Sequence, residues 1–212
     1  MGFLDLSSEE RAALTLQAMA EHRTLVERWS DMEKKEKDGW PDRLEIIAGM
    51  LSNCRSVADI GCGLMQLRNA LPSGVHYIPI DVVSRGPDTI VVDLNSQPLP
   101  ALNVEGWAIG GVLEYLYDVP ALFSKLTGTV VTSYNPTDIC HADRRSWAWV
   151  NDYSTDELEA VFAASGFQTV ERHDMPSQRI WKLKKVSQNR IIRSIKSRVV
   201  RVLQFSRLHR AR

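Results

Sequence analysis

Three aspartates and a pair of glycines are spaced so that one nucleotide-like ligand can meet them all. Asp59 stands directly before Ile60-Gly61-Cys62-Gly63, Asp81 follows Gly63 by 18 positions, and Asp93 comes later with Leu94 behind it. Gly61 and Gly63 relieve the backbone of Cβ clashes and let a ligand lie against the main chain around Cys62. A carboxylate at Asp81 suits both hydroxyls of a ribose. Asp93 suits the amino group of an adenine, with Leu94 covering the ring. Asp59 can either hold the turn or meet a cationic end of the ligand.

These groups meet only if strands carry them to one edge. The apolar, β-branched run 55–60 reads as a buried strand, and Leu64, Leu67 and Leu71 recur after it at helical spacing, so the turn feeds a helix whose free N–H groups face the same pocket. Runs 75–81 and 89–93 read as a second and a third strand, each ending in an acid, with 106–110 and 129–133 as a fourth and a fifth. Asp118 caps a helix through 126. Strands alternating with helices predict a parallel, doubly wound sheet, whose ligands bind beyond the carboxyl ends of the strands where the topology switches. Ser154 opens a further helix that stops at Gly166. Strands 167–172 and 179–184 follow with only a short loop between them, so they must be antiparallel. Upstream, Ser7 and Glu10 are spaced as a capping box for one helix over 7–35. The charge run 33–38 ends it as a solvated linker. Pro41 opens a second helix with Leu44, Ile47, Ala48 and Leu51 on one face.

A chain of 212 residues with 44% apolar content holds one main domain with a full core. Cys54, Cys62 and Cys140 form no C-x-x-C pair, which fits a reduced compartment, and the acidic start at Asp5, Glu9 and Glu10 is unlike a signal peptide. No apolar run approaches the roughly 20 residues of a membrane span. A cytoplasmic location is expected. The zero net charge hides a division: all 26 acidic residues lie at or before Asp174 with 14 of the basic ones, so residues 1–175 carry about −12 and residues 176–212 about +12. In that tail Ile191, Ile192, Ile195, Val199, Val202 and Leu203 share one helical arc, with Arg190, Arg193 and Arg201 opposite. Such a helix suits an anionic membrane surface, peripheral to its inner face, or docks on the acidic body or on a second copy as a homodimer. Phe205 is its one aromatic, which argues against nucleic acid. The chain thus divides into a helical extension (1–40), a main domain (41–185) and a basic amphipathic tail (186–212).

Over roughly 44–184 the residues resemble the class I S-adenosylmethionine-dependent methyltransferases. The carriers are Val57-Ala-Asp-Ile-Gly-Cys-Gly63 for the glycine motif, Tyr77-Ile-Pro-Ile-Asp81 and Val91-Val-Asp-Leu94 for the two that follow, and Gly111-Val-Leu-Glu-Tyr-Leu116 after the fourth strand. The resemblance implies an α/β fold: a Rossmann-like, doubly wound, seven-stranded sheet, mostly parallel with one antiparallel strand, flanked by the N-terminal helices and the C-terminal amphipathic helix. It also implies S-adenosyl-L-methionine as cofactor, held by Asp59, Gly61, Cys62, Gly63, Asp81, Asp93 and Leu94. One departure stands out: Met65 occupies the place of the family's third glycine, where a side chain narrows the approach to the methionine moiety unless the loop is displaced. A dinucleotide-dependent dehydrogenase also uses a glycine turn and a strand-two acid, but it wants a third glycine where this chain has Gln66.

Methyl transfer asks the enzyme mainly to align the acceptor and exclude water. Segment 134–149 is too polar and aromatic to be a simple connection, and the acceptor is placed there. His141 is the base candidate, because an imidazole titrates near neutrality and can take a proton from a hydroxyl. Asp138, Asp143 and Tyr134 are alternates. Arg144 and Arg145 either hold an anionic acceptor or face water, and Trp147 and Trp149 either stack on a ring or join the core. Cys140-His141 lacks a second ligand pair with zinc-like spacing, so no metal is expected. The expected function is O-methylation of a small molecule, glycan or lipid-linked precursor; the alternative is a non-catalytic adaptor of the same fold, acting through its basic tail at a membrane or partner protein.

Overall fold

The computed structural model describes residues 2–30 and 41–186. The charge run 33–38 and the basic tail lie outside the described residues. Seven strands form one sheet in the order β3-β2-β1-β4-β5-β7-β6. They are β1 (Ser56–Ile60), β2 (His76–Asp81), β3 (Ile90–Val91), β4 (Gly106–Gly110), β5 (Thr129–Tyr134), β6 (Phe167–Asp174) and β7 (Arg179–Lys185). β1 pairs in parallel with β2 and β4, β2 with β3, and β4 with β5, while β7 runs antiparallel to both β5 and β6. The chain steps outward from β1 to β3 and returns to β4 on the other side of β1. A crevice therefore opens between β1 and β4 at the carboxyl edge.

Six α-helices flank the sheet among the described residues: α1 (Ser8–Ala20), α2 (Glu27–Ser30), α3 (Pro41–Met50), α4 (Gln66–Ala70), α5 (Val119–Lys125) and α6 (Thr155–Ala164). Strand alternation puts a core on each side of the sheet. Ala58, Ile60, Ile80, Trp107, Ile109 and Val130 face α5 and α6. Val57, Ala108, Val131 and Ile180 pack on the other side with Ile47 and Leu51 of α3 and Leu67 of α4. Caps close as the sequence predicts: Ser7 and Glu10 exchange hydrogen bonds, Asp118 accepts from the Ala121 N–H, and Ser154 and Glu157 form a second capping box.

Two expectations fail locally. The helix predicted over 7–35 breaks after Ala20, because His22 takes a left-handed conformation (φ 54°) and stacks on Tyr117 at 4.2 Å between ring centroids. The Tyr117 hydroxyl donates to the Ala18 and Arg23 carbonyls, satisfying the helix end from another part of the fold. The predicted third strand shrinks to two residues, leaving Asp93 in the turn beyond it. The N-terminal residues pack against the main domain. Thr15 donates to the Arg145 carbonyl at 2.7 Å, and Phe3, Ala18 and Leu25 form a small core with Ala148.

Candidate functional site

A cavity of about 410 Å³ opens at the β1/β4 crevice, within the size range of small-molecule sites. Asp59, Gly61, Cys62, Gly63, Asp81, Asp93 and Leu94 all line it. The fold thus gathers every expected ligand-binding residue in one place.

The glycine turn is built by its neighbours. Gly61 has φ 71°, and a Cβ there would collide with the Val112 side chain, so the glycine is required by packing as well as by backbone conformation. The Gly61 and Cys62 N–H groups both donate to the Ile80 carbonyl, at 2.8 and 3.0 Å, and the Gly63 N–H donates to Asp81 Oδ2 at 2.9 Å. These three turn donors are therefore spent inside the protein rather than facing the pocket, while α4, five residues long, begins beside it with Gln66 and Leu67 in the lining. Met65 accepts the left-handed conformation itself, with φ 55° and ψ 27°, and leads into α4. Leu64 and Gln66 line the cavity and Met65 does not; its Cε lies 3.7 Å from where a Cβ on Gly86 would sit. The loop keeps the glycine-like path and sends the methionine to the β2–β3 side, so it does not narrow the pocket as the sequence predicts.

The three carboxylates differ in environment. Asp59, in β1, accepts from the Tyr77 hydroxyl at 2.6 Å, and burial pushes its carboxyl up to about 7, with Tyr77 and Arg43 opposing the rise and Asp81 adding to it. Asp81, 6% exposed, also accepts from the Val83 N–H and pairs with Arg85 at 3.5 Å. Asp93 accepts from the Thr24 hydroxyl at 2.7 Å and from the Asn95 N–H, so it ties the N-terminal segment to the cavity wall. Burial pushes the Cys62 thiol far up, helped by Asp59 and Asp81, and leaves it inert.

The base candidate is not in the cavity. His141 is exposed and does not line it, whereas Cys140 and Ala142 on either side do. The alternates are committed elsewhere or solvated. Asp138 accepts from the Thr155 N–H and hydroxyl, and Asp143 is exposed. The Tyr134 hydroxyl sits between Asn151 Oδ1 and Arg144 Nη2, each at 2.6 Å. Arg144 also donates to the Asn135 and Asn151 carbonyls and lies over the Trp149 ring, and Arg145 binds the Trp149 carbonyl and Asp152. Both arginines hold the loop together. Trp149 is core, its indole N–H donating to the Tyr115 hydroxyl, while Trp147 is 44% exposed where it lines the cavity.

Sequence reasoning passed over Arg43, Glu114 and Gln178. Arg43 comes from α3, where helical periodicity marked the apolar face alone; its Nη1 fits against Gly111, whose φ of 68° and missing side chain make room for it. Glu114 lies in the 3-10 turn Leu113–Tyr115, inside the motif-like segment after the fourth strand, and is 1% exposed. Burial pushes its carboxyl up against the opposing donors of Asn135 and the charge of Arg43. Gln178 comes from the β6–β7 hairpin, which carries no local signal. Among the described residues no three His, Cys, Asp or Glu side chains are grouped to hold a metal ion, and no helix is long and apolar enough to cross a membrane.

No protein-family profile matches the chain, and no curated protein sequence matches it. Solved structures do. A 1,6-didemethyltoxoflavin-N1-methyltransferase from Burkholderia thailandensis, with 1,6-didemethyltoxoflavin and S-adenosylhomocysteine bound, superposes with a TM-score of 0.58 at 15% identity, over 86% of this chain and 92% of that one. An O-methyltransferase from neocarzinostatin biosynthesis, in complex with S-adenosylmethionine and 2-hydroxy-5-methyl naphthoic acid, gives 0.54 at 16% identity, over 85% and 70%. A methyltransferase from Aquifex aeolicus gives 0.54 at 15%, over 74% and 99%. The chain has the class I methyltransferase fold.

Proposed function

We propose that the chain is an S-adenosylmethionine-dependent methyltransferase acting on an oxygen of a small molecule, glycan or lipid-linked precursor. The observation that carries this reading is the donor set around one cavity at the sheet's switch point. Leu94, Val92 and Ile80 offer an apolar slot, Asp81 and Asp93 offer hydroxyl and amine acceptors, and Asp59 and Arg43 offer an acceptor and a cation for a zwitterionic end. That set fits an adenosyl amino acid. The cofactor supplies an electrophilic methyl group when bound. The protein's own residues bind and orient: Asp81 holds the ribose hydroxyls, Asp93 with Leu94 the adenine, and Asp59 with Arg43 the amino-acid end. Trp147 and Trp149 flank the acceptor and shield it from water. The structural relatives with bound small-molecule acceptors support this choice of class. Calorimetry with S-adenosylmethionine tests it: micromolar binding that Asp81→Asn weakens at least tenfold is expected, and heat-silent titration of the wild type sinks the reading.

One observation favours the adaptor reading. Asp81 already accepts from two N–H groups and faces Arg85, whose side chain is 8% exposed, so the ribose acceptor is in part satisfied by the protein. Under that reading the cavity takes no cofactor and the chain works through its basic tail. We place the protein in the cytoplasm, peripheral to the inner face of a membrane, on the tail's charge and apolar arc. Flotation with anionic liposomes, compared between the full chain and one ending at Lys185, checks this; equal flotation removes the membrane from the account.

A further inference from the structure

Glu114 and Gln178 come from separate elements, the 3-10 turn after β4 and the β6–β7 hairpin, and both line the cavity. They are 1% and 4% exposed. Each leaves a side-chain oxygen, Glu114 Oε2 and Gln178 Oε1, without a hydrogen-bond partner among the described residues. The orientation of Glu114 is fixed by its other oxygen, because Oε1 accepts from both the N–H and the side-chain amide of Asn135 at 2.9 Å. Buried polar atoms are overwhelmingly paired; burial raises the Glu114 carboxyl, but the Asn135 donors and the Arg43 charge favour its ionised form, whose free oxygen can only accept. Tyr115, Trp147 and Trp149 also line the cavity and add flat apolar surface to it.

We infer that this part of the cavity is a donor-selecting acceptor subsite: it takes a small aromatic or heterocyclic compound that presents N–H or O–H groups to Glu114 and Gln178. The assignment as the acceptor's subsite rests on the methyltransferase reading of the same cavity. A compound offering only ether or carbonyl oxygens leaves both protein oxygens unpaired, and one offering a carboxylate to Glu114 sets like charges together. Specificity of this kind is strong because a site with buried acceptors penalises an analogue that lacks the donors.

The test uses the full chain saturated with S-adenosylhomocysteine and two probes of similar size, 2-aminophenol and 1,2-dimethoxybenzene, with dissociation constants from ligand-observed NMR. The wild type is expected to prefer 2-aminophenol at least tenfold. In Glu114→Gln the Asn135 donors keep the amide oxygen at the Oε1 place, so the NH₂ group replaces Oε2 and the preference falls to parity or reverses. Gln178→Met, close in volume and without the acceptor, should cut the preference severalfold, and it carries the test if circular dichroism shows Glu114→Gln unfolded. Equal binding of the probes to the wild type, no binding of 2-aminophenol, or an unchanged preference in both variants overturns the inference. Calorimetry with S-adenosylmethionine separates the two claims. Cofactor binding without donor preference overturns the subsite alone; donor preference without cofactor binding keeps a donor-selecting pocket and overturns the methyltransferase reading.

Discussion

Met65 carries a backbone cost that a glycine would not. At φ 55° an L-residue gives up roughly 1 kcal/mol, and its side chain is absent from the cavity lining. Met65→Gly is therefore expected to leave S-adenosylmethionine affinity unchanged within twofold in calorimetry. Its stability in urea should change by less than about 1 kcal/mol, since relief of strain is offset by the entropy glycine adds to the unfolded chain. A tenfold gain in affinity would put the methionine back in the pocket. Asp59 makes a pH prediction. Its carboxyl is raised to about 7 by burial, so between the unfolded value near 4 and that point the folded state binds the extra proton and stability falls as pH rises, by at most about 1.4 kcal/mol per pH unit. Below that window the residue imposes no penalty, and above it the penalty is constant. Asp59→Asn should flatten this part of the thermal-melt profile between pH 4.5 and 7; an unchanged slope would show that another group titrates there.

At the level of elements, the N-terminal helix ends where the body of the fold requires it. Tyr117 takes the carbonyls of Ala18 and Arg23, and Thr24 bridges Asp93 and the Asn95 amide, so the segment after α1 becomes a wall of the cavity. Thr24→Val keeps the shape and removes both hydrogen bonds. It is expected to cost about 1–2 kcal/mol and to raise hydrogen exchange in 21–30 specifically; exchange unchanged there would show that the Trp29 and Tyr115 rings, packed edge to face, hold the segment by themselves. The capped helices were readable because a cap is a local pattern: Ser7 with Glu10, and Ser154 at the start of its helix, need only their own backbone. The break at His22 was not readable, since the tyrosine that stabilises it is 95 positions away.

For the whole molecule, ligand binding and stability are linked. At a concentration 100 times its dissociation constant, S-adenosylmethionine adds about 2.7 kcal/mol, which for a chain of this size raises the melting temperature by roughly 5–10 °C. Asp81→Asn should lose most of that shift, and an equal shift in both proteins would move the ribose away from Asp81. The doubly wound class of the sheet and the place of the cavity follow from patterns that act over short distances: alternating strands and helices, glycines after a buried strand, and acids at 18- and 30-residue spacings from Gly63. These suffice because parallel strands have one economical way to connect and one edge at which their carboxyl ends meet. Where each side chain points was decided by the tertiary structure. His141, an imidazole between two residues that line the cavity, is itself exposed, whereas Glu114 sat in a recognised segment with no role and became a buried acceptor. Gln178, on a hairpin without local signal, reaches the same cavity. Burial, orphaned hydrogen-bonding atoms and displaced titration arise from contacts between residues far apart in the chain, and residue type alone does not contain them.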